Sequence, residues 1–132
     1  MKGRLVSGLA AAVLMSATLS AHHGGAAFEN GKSVTLKGTV TQWVYSNPHL
    51  LLTFDVKGDD GMVVQWVAET QAPNIMYPAG YRRDSFKVGD EVTVTVTPVK
   101  NGRPIGRILK VLTATGWTLG GIPDAPIPPA AK

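Results

Sequence analysis

The stretch that decides the fold runs from position 49 to position 69 and reads HLLLTFDVKGDDGMVVQWVAE. On the near side of its Gly- and Asp-rich centre, Leu50, Leu52 and Phe54 alternate with outward-facing residues. On the far side, Trp66 and Ala68 continue the same alternation. Strict alternation on both sides of a turn sequence indicates an antiparallel hairpin with one buried face.

The hairpin also predicts which residues face one another. If it is symmetric about Asp59, Leu52 pairs with Trp66 on the core side. The same register places His49 directly opposite Glu69 on the outer face, with Cβ atoms about 4.5–5.5 Å apart. A slip by one residue would expose every large apolar side chain, so the pattern fixes the face that each residue occupies.

Three further strands extend this hairpin into a sheet. Residues 33–44 alternate before it, with Gly38 marking a bend or bulge. Residues 91–99 alternate Val with Thr, and residues 104–115 follow the Asn101-Gly102 turn signal. Five strands of this kind predict an all-β, OB-like Greek-key barrel; an open sandwich is the alternative.

The alternation stops between the third and fourth strands. Pro73 can begin a helix, and Pro78 disfavours helix at the residue before it. We therefore expect a short irregular or one-turn helical segment there. Trp117 is expected to close the barrel.

The amino-terminal segment predicts export. Residues 1–21 read MKGRLVSGLAAAVLMSATLSA, in which basic residues precede an apolar run and small residues, as in a signal peptide. Cleavage after Ala21 would leave His22 first, and cleavage after Ser20 would leave Ala-His-His. The apolar run is short for a retained anchor, which is the alternative. The expected parts are the signal peptide 1–21, a flexible N-terminal arm 22–32, the barrel 33–119 and a Pro-rich disordered tail 120–132.

The composition narrows the classes of function. The 132-residue chain contains no cysteine, which excludes disulfides and thiolate chemistry. Its net charge of +4 includes two basic residues of the signal peptide, and the remainder is too small for a nucleic-acid binder. No second apolar stretch is long enough to span a bilayer, so no membrane association is expected after cleavage. A periplasmic or secreted protein is predicted.

Five motifs together resemble one family. They are A-H-H at 21–23, G-T-V at 38–40, N-P-H at 47–49, W-V-A-E at 66–69 and G-Y-R-R-D-S-F-K-V-G-D at 80–90. Their combination resembles a family of small exported bacterial proteins known only as a domain of unknown function, in which a tryptophan is expected where Tyr81 stands. The resemblance implies export and an all-β domain, and it supplies no activity.

The histidines suggest a metal site. With His22 at the mature terminus, its amine and ring nitrogen can chelate one ion, and His23 or His49 can add a further nitrogen. Such a nitrogen set suits Cu(II), with zinc left open, and it resembles the histidine brace of copper monooxygenases and copper carriers. Glu69 is expected to orient His49 or to bind the ion itself.

A second reading places a non-metal ligand on the barrel face. Trp43 and Tyr45 share the outward parity of the first strand, and Arg82 and Arg83 could meet an anionic group of a small periplasmic ligand or a partner protein. Catalysis has little support, because no serine or threonine has a spaced base and acid beside it. The sequence therefore favours a binding module over an enzyme.

Overall fold

The computed structural model describes residues 27–121, and within them the chain forms a closed β-barrel with one helical turn. The elements are β1 Val34–Val44, β2 Leu51–Lys57, β3 Val63–Glu69, α1 Pro73–Met76, β4 Glu91–Pro98, β5 Ile105–Thr113 and β6 Thr118–Gly120. The strand order is β3-β2-β1-β4-β5-β6, and a parallel pairing of β3 with β5 closes the barrel. The predicted OB-like Greek-key barrel is confirmed, including the helical turn between the third and fourth strands.

The core contains the side chains that the alternating pattern predicts to face inward. The hairpin contributes Leu50, Leu52, Phe54 and Ala68, all fully buried. Ile108 and Val111 of β5 are also buried, whereas Leu112 is 40% exposed. Of the β5 core candidates, the structure thus selects Val111 rather than Leu112.

Gly38 permits a close crossing rather than a bulge. A Cβ atom there would lie 2.5 Å from the Asp55 carbonyl oxygen and 2.8 Å from Cδ2 of Phe54. No side chain fits in that space, so β1 can bend across β2 only if residue 38 lacks one.

The bulge in β1 lies at Thr41 and reverses one prediction. Val40 pairs with Phe54 and Gln42 pairs with Thr53, so Thr41 has no partner of its own on β2. An extra residue inverts the alternation that follows it. Trp43 therefore pairs with the buried Leu52 and, with Tyr45, packs against the core instead of facing outward.

The hairpin register is a second correction. Leu52 pairs with Ala68 and Leu51 pairs with Glu69, so the hairpin is centred on Asp60 rather than Asp59. The observed three-residue turn is Asp59-Asp60-Gly61, because Gly58 pairs with Met62 and Gly61 takes the left-handed conformation, with a φ of 79°, that this position requires and that glycine adopts easily. Moving the centre by one residue moves each partner by two, which keeps every side chain on its predicted face.

The predicted boundaries change at both ends of the barrel. The last residues of the predicted flexible arm are seated on the domain, because Phe28 is fully buried and forms a β-bridge with Val99. At the other end, β6 extends the barrel to Gly120 and buries Leu119, while Trp117 is 71% exposed and does not close the core. The predicted signal peptide, His22, His23 and the predicted tail from 122 onward lie outside the described residues. Among residues 27–121, no helix is long and apolar enough to span a membrane.

Candidate functional site

His49 lies just before β2, where the hairpin ladder continues past the strand ends. Thr70 N–H donates to the Leu50 carbonyl at 3.0 Å, and Leu50 N–H donates to the Gln71 carbonyl at 3.2 Å. This backbone frame presents the Thr70 carbonyl oxygen to Nδ1 of His49 at 2.8 Å. A carbonyl oxygen only accepts, so Nδ1 carries the proton and the neutral ring keeps its lone pair on Nε2.

This hydrogen bond gives His49 the arrangement of a metal-binding histidine. Histidines that bind metal through one ring nitrogen usually donate the other N–H to a carbonyl or carboxylate, which fixes the ring. The His49 side chain is half-buried, and Nε2 makes no hydrogen bond within residues 27–121. The ring is therefore oriented by the backbone and has one nitrogen available for a ligand.

Glu69 does not face His49 directly. The observed register sets Glu69 across from Leu51, and beyond that pair Leu50 bonds to both Thr70 and Gln71. Glu69 is the diagonal neighbour of His49, a relation that separates Cα atoms by about 7–8 Å in antiparallel sheets. Its other lateral neighbour is Arg107 of β5. The predicted opposition of imidazole and carboxylate was wrong by two residues.

The N-terminal arm reaches the barrel on the same outer surface. Lys100 N–H donates to the Ala27 carbonyl at 3.0 Å, and Glu29 N–H donates to the Pro98 carbonyl at 2.8 Å. The Arg107 guanidinium lies over the Phe28 ring at 4.2 Å. Arg107 therefore contacts Phe28 of the arm on one side and is paired with Glu69 of β3 on the other, and β3 in turn pairs with β2.

The described residues do not themselves complete a metal site. No group of three or more His, Asp or Glu side chains in residues 27–121 is arranged to hold an ion. His49 and Glu69 supply two of the four candidate ligands, and His22 and His23 lie before the described range. A site that combines His49 with two or more His, Asp or Glu side chains would therefore take at least one of them from outside residues 27–121.

Of the four residues of the ligand-face reading, Trp43, Tyr45 and Arg82 are brought together as an internal packing unit, and Arg83 lies exposed beside Tyr45. We call the group formed by Trp43, Tyr45, Tyr81, Arg82 and Phe86 the aromatic corner. Its rings pack around Trp43, at centroid distances of 6.2 Å to Tyr45, 6.0 Å to Tyr81 and 4.9 Å to Phe86. Trp43 Nε1 donates to the Arg82 carbonyl at 3.0 Å. The tryptophan thus fastens the loop after α1 to the end of β1.

Both arginines also have partners within the protein. Nη1 of Arg82 donates to the carbonyls of Tyr77 and Tyr81 at 2.7 and 2.8 Å, and the guanidinium stacks 3.4 Å from the Tyr77 ring centroid. Arg83 is exposed and lies 5.7 Å from the Tyr45 ring centroid. Arg82 is therefore engaged in the loop structure, and Arg83 is the more accessible cation of the two.

Tyr81 is the most deeply buried ring of the corner. It is fully buried, and its hydroxyl donates to the Gly120 carbonyl at 2.7 Å. Burial raises the pKa of the Tyr81 phenol well above its usual range, because the phenolate would lose its hydration. The phenol stays neutral at physiological pH and joins β6 to the loop.

One feature of this end was not visible in the sequence. A cleft of about 350 Å³ lies between the loop 80–85 and the turn 113–117, and its lining includes Asp84, Asp90, Glu91 and the exposed Trp117. Asp90 accepts a hydrogen bond from Lys87 N–H at 2.9 Å, and Glu91 accepts one from Thr39 Oγ1 at 2.7 Å. The segments that line the cleft are far apart in sequence and meet only in the folded barrel. No local sequence motif therefore predicts the cleft.

One protein family matches most of the chain. The model of a family of unknown function, DUF6152, matches residues 10–108. The chain belongs to DUF6152. No curated protein and no solved structure matches it. The match confirms the resemblance drawn from the five motifs.

The DUF6152 match covers all the candidate residues of both readings. His22, His23, His49 and Glu69 lie inside residues 10–108, as do Trp43, Tyr45, Arg82 and Arg83. It ends within β5 and leaves out β6 and the turn that carries Trp117. The family has no assigned activity, so function must be argued from the side chains themselves.

Proposed function

We propose that this DUF6152 protein is an exported metal-binding protein that takes up Cu(II) through Nε2 of His49 and the histidines of its mature amino terminus. The observation that carries the proposal is the hydrogen bond from His49 Nδ1 to the Thr70 carbonyl. It orients the ring and leaves Nε2 as the donor atom. Nitrogen donors from imidazole and a terminal amine suit Cu(II) above the other common divalent ions.

The distance that the arm must span supports the same proposal. The path over the sheet from Ala27 to His49 crosses β4, β5 and β3 to reach β2. These four strand spacings and about five residues along the strands amount to on the order of 25 Å. Residues 22–26 extend to about 17 Å when fully stretched. The side chains of His22 and His49 together must cover the remainder, so the arm reaches His49 only when it is nearly fully extended. Gly24 and Gly25 are two of the five residues that give the arm this length.

Copper titration of the exported protein tests the proposal, after mass spectrometry has fixed its first residue. We expect tight, equimolar uptake by the wild-type protein. His49→Ala should weaken uptake by roughly tenfold or more, since even an outer partner of a metal ligand is worth that much. Zn(II) under the same conditions identifies the preferred ion.

A change in arm length gives a sharper test. Deleting Gly24 and Gly25 shortens the arm by about 7 Å, so the terminal histidines should no longer reach His49. Uptake should then fall to the level of His49→Ala. Replacing both glycines by alanine keeps the length, and this matched control should bind like the wild type.

Two results contradict the proposal. Uptake unchanged by His49→Ala would mean that the amino terminus chelates copper alone. Weak uptake by every form would leave the non-metal reading, a module for a small ligand or a protein partner. In that case Arg83 and the cleft beside Trp117 would be the places to examine.

A further inference from the structure

The first half of β3 has an open edge. Along its whole length β3 pairs with β2, but its other side pairs with β5 only at Val67, Ala68 and Glu69. Residues 63–66 extend beyond the start of β5. Among residues 27–121, no strand covers that side of them.

The hydrogen bonds of the hairpin show which backbone groups face the open side. Thr70 N–H donates to β2, and Gly58 N–H donates to the Met62 carbonyl, so the even-numbered residues of β3 bond to β2. Val67 N–H instead donates to the Pro104 carbonyl at 3.0 Å, on the other side. Because these directions alternate, Val63 and Gln65 point their N–H and C=O groups at the open edge.

The side chains at this edge are apolar and exposed. Met62 is 67% exposed, Val63 58% and Val64 46%. Natural proteins usually protect an edge strand with lysine, proline or a bulge. Residues 62–66 read MVVQW and contain none of these. An unprotected apolar edge is a place where another strand can add.

We infer that this edge pairs with the same edge of a second copy of the chain, antiparallel, with Val64 on the twofold axis. In that register Val63 of each copy exchanges both backbone hydrogen bonds with Gln65 of the other. Val64 then faces its own symmetry mate, and Met62 faces Trp66. The donors and acceptors that the single barrel leaves open satisfy one another, as a twofold interface requires.

Charge complementarity favours the same arrangement. The antiparallel register brings the turn of one β2–β3 hairpin to the start of β5 in the other copy. The first turn carries Asp59 and Asp60, and the β4–β5 turn carries Lys100 and Arg103, all exposed. Opposite charges meet at both ends of the paired strands. The association should therefore weaken as salt increases.

A single introduced cysteine tests the register, because the chain has none of its own. Facing residues of a non-hydrogen-bonded pair have Cα atoms about 4.5 Å apart, which suits a disulfide. Val64→Cys should give a covalent dimer on mild oxidation. Val63→Cys, whose mate lies two residues away, and Val88→Cys, on an exposed turn far from the edge, should not. Equal cross-linking of all three variants would overturn the inference.

A proline variant tests the edge itself. The Gln65 N–H is not used within the barrel, so Gln65→Pro removes a donor of the interface and leaves the β2 ladder intact. Sedimentation with a chelator present should show a concentration-dependent dimer for the wild type and only monomer for Gln65→Pro, with unchanged circular dichroism. If Gln65→Pro does not fold, Val64→Lys, which sets two like charges face to face, should give the same loss.

The outcomes separate this inference from the metal proposal. A wild-type protein that stays monomeric at all concentrations, or a dimer that persists in both Gln65→Pro and Val64→Lys, would contradict the pairing. Neither result affects copper uptake, because the open edge lies at the start of β3 and His49 lies beyond its other end. Failure of the copper titration would likewise leave the pairing standing.

Discussion

The aromatic corner and the surface around His49 both attracted functional interpretation, and they differ in what their polar atoms do. In the corner, the Trp43 N–H, the Tyr81 hydroxyl and Nη1 of Arg82 all bond to backbone carbonyls. At His49 only Nδ1 is bonded in this way. The corner uses its polar groups to hold loops, whereas His49 is held by the backbone and keeps a donor atom available. A conspicuous cluster of aromatic and basic residues is thus better explained here as structure than as a ligand site.

The largest expected effect comes from removing the centre of the corner. Trp43→Ala deletes the ring contacts to Tyr45, Tyr81 and Phe86, together with one hydrogen bond. It should lower the free energy of unfolding by about 3 kcal/mol, the low end for large aromatic truncations because Trp43 is only half-buried. Urea unfolding measures the loss. A loss below about 1 kcal/mol would mean that the corner is not a packing unit.

The same variant should leave metal uptake intact, provided that it remains folded at the temperature of the titration. His49→Ala supplies the reverse case, with little change in stability because a single half-exposed hydrogen bond contributes about 1 kcal/mol. If Trp43→Ala lowers only stability and His49→Ala lowers only copper uptake, the two regions are independent. Loss of both properties in either variant would break the comparison.

Alkaline pH gives the next largest effect, at Tyr81. Its raised pKa means that the phenol stays protonated in the folded protein while the unfolded chain ionises above about pH 10. Stability is fully present below that pH and falls above it, by up to about 1.4 kcal/mol per pH unit. In Tyr81→Phe this contribution is absent, so the stability difference between wild type and variant should shrink as the pH rises from 9 to 11. A constant difference would contradict the buried neutral phenol.

The smallest effects concern the carboxylate near His49. Because Glu69 is diagonal to His49, Glu69→Gln should weaken copper uptake by less than about tenfold. A loss of tenfold or more in Glu69→Gln would contradict the observed register.

The sequence predicted the barrel well because alternation and turns are local. The faces of β2 and β3, the hairpin at Asn101-Gly102 and the helical turn at Pro73 all follow from residue types and spacing. A register error of two residues kept those faces correct, since the side-chain period is two. The partner of His49 depended on the turn geometry at Gly61, which the pattern of Asp and Gly residues left open.

The parts that the sequence could not predict depend on contacts between distant segments. The bulge at Thr41 turned Trp43 and Tyr45 inward, and nothing in the alternation of β1 marks it. Phe28 was assigned to a flexible arm because its neighbours are small and polar, yet it is buried against Val99 and Arg107. The three-residue strand β6 is too short to produce an alternating pattern.

The most direct test of the proposed metal site is nitrogen NMR of the His49 ring in the purified protein, with Zn(II) as a diamagnetic substitute for Cu(II). We expect the neutral ring to carry its proton on Nδ1 and none on Nε2 before metal is added. One equivalent of Zn(II) should then shift the Nε2 resonance and leave Nδ1 protonated. A ring protonated on Nε2, or an Nε2 resonance that does not respond to the ion, would contradict the proposed site.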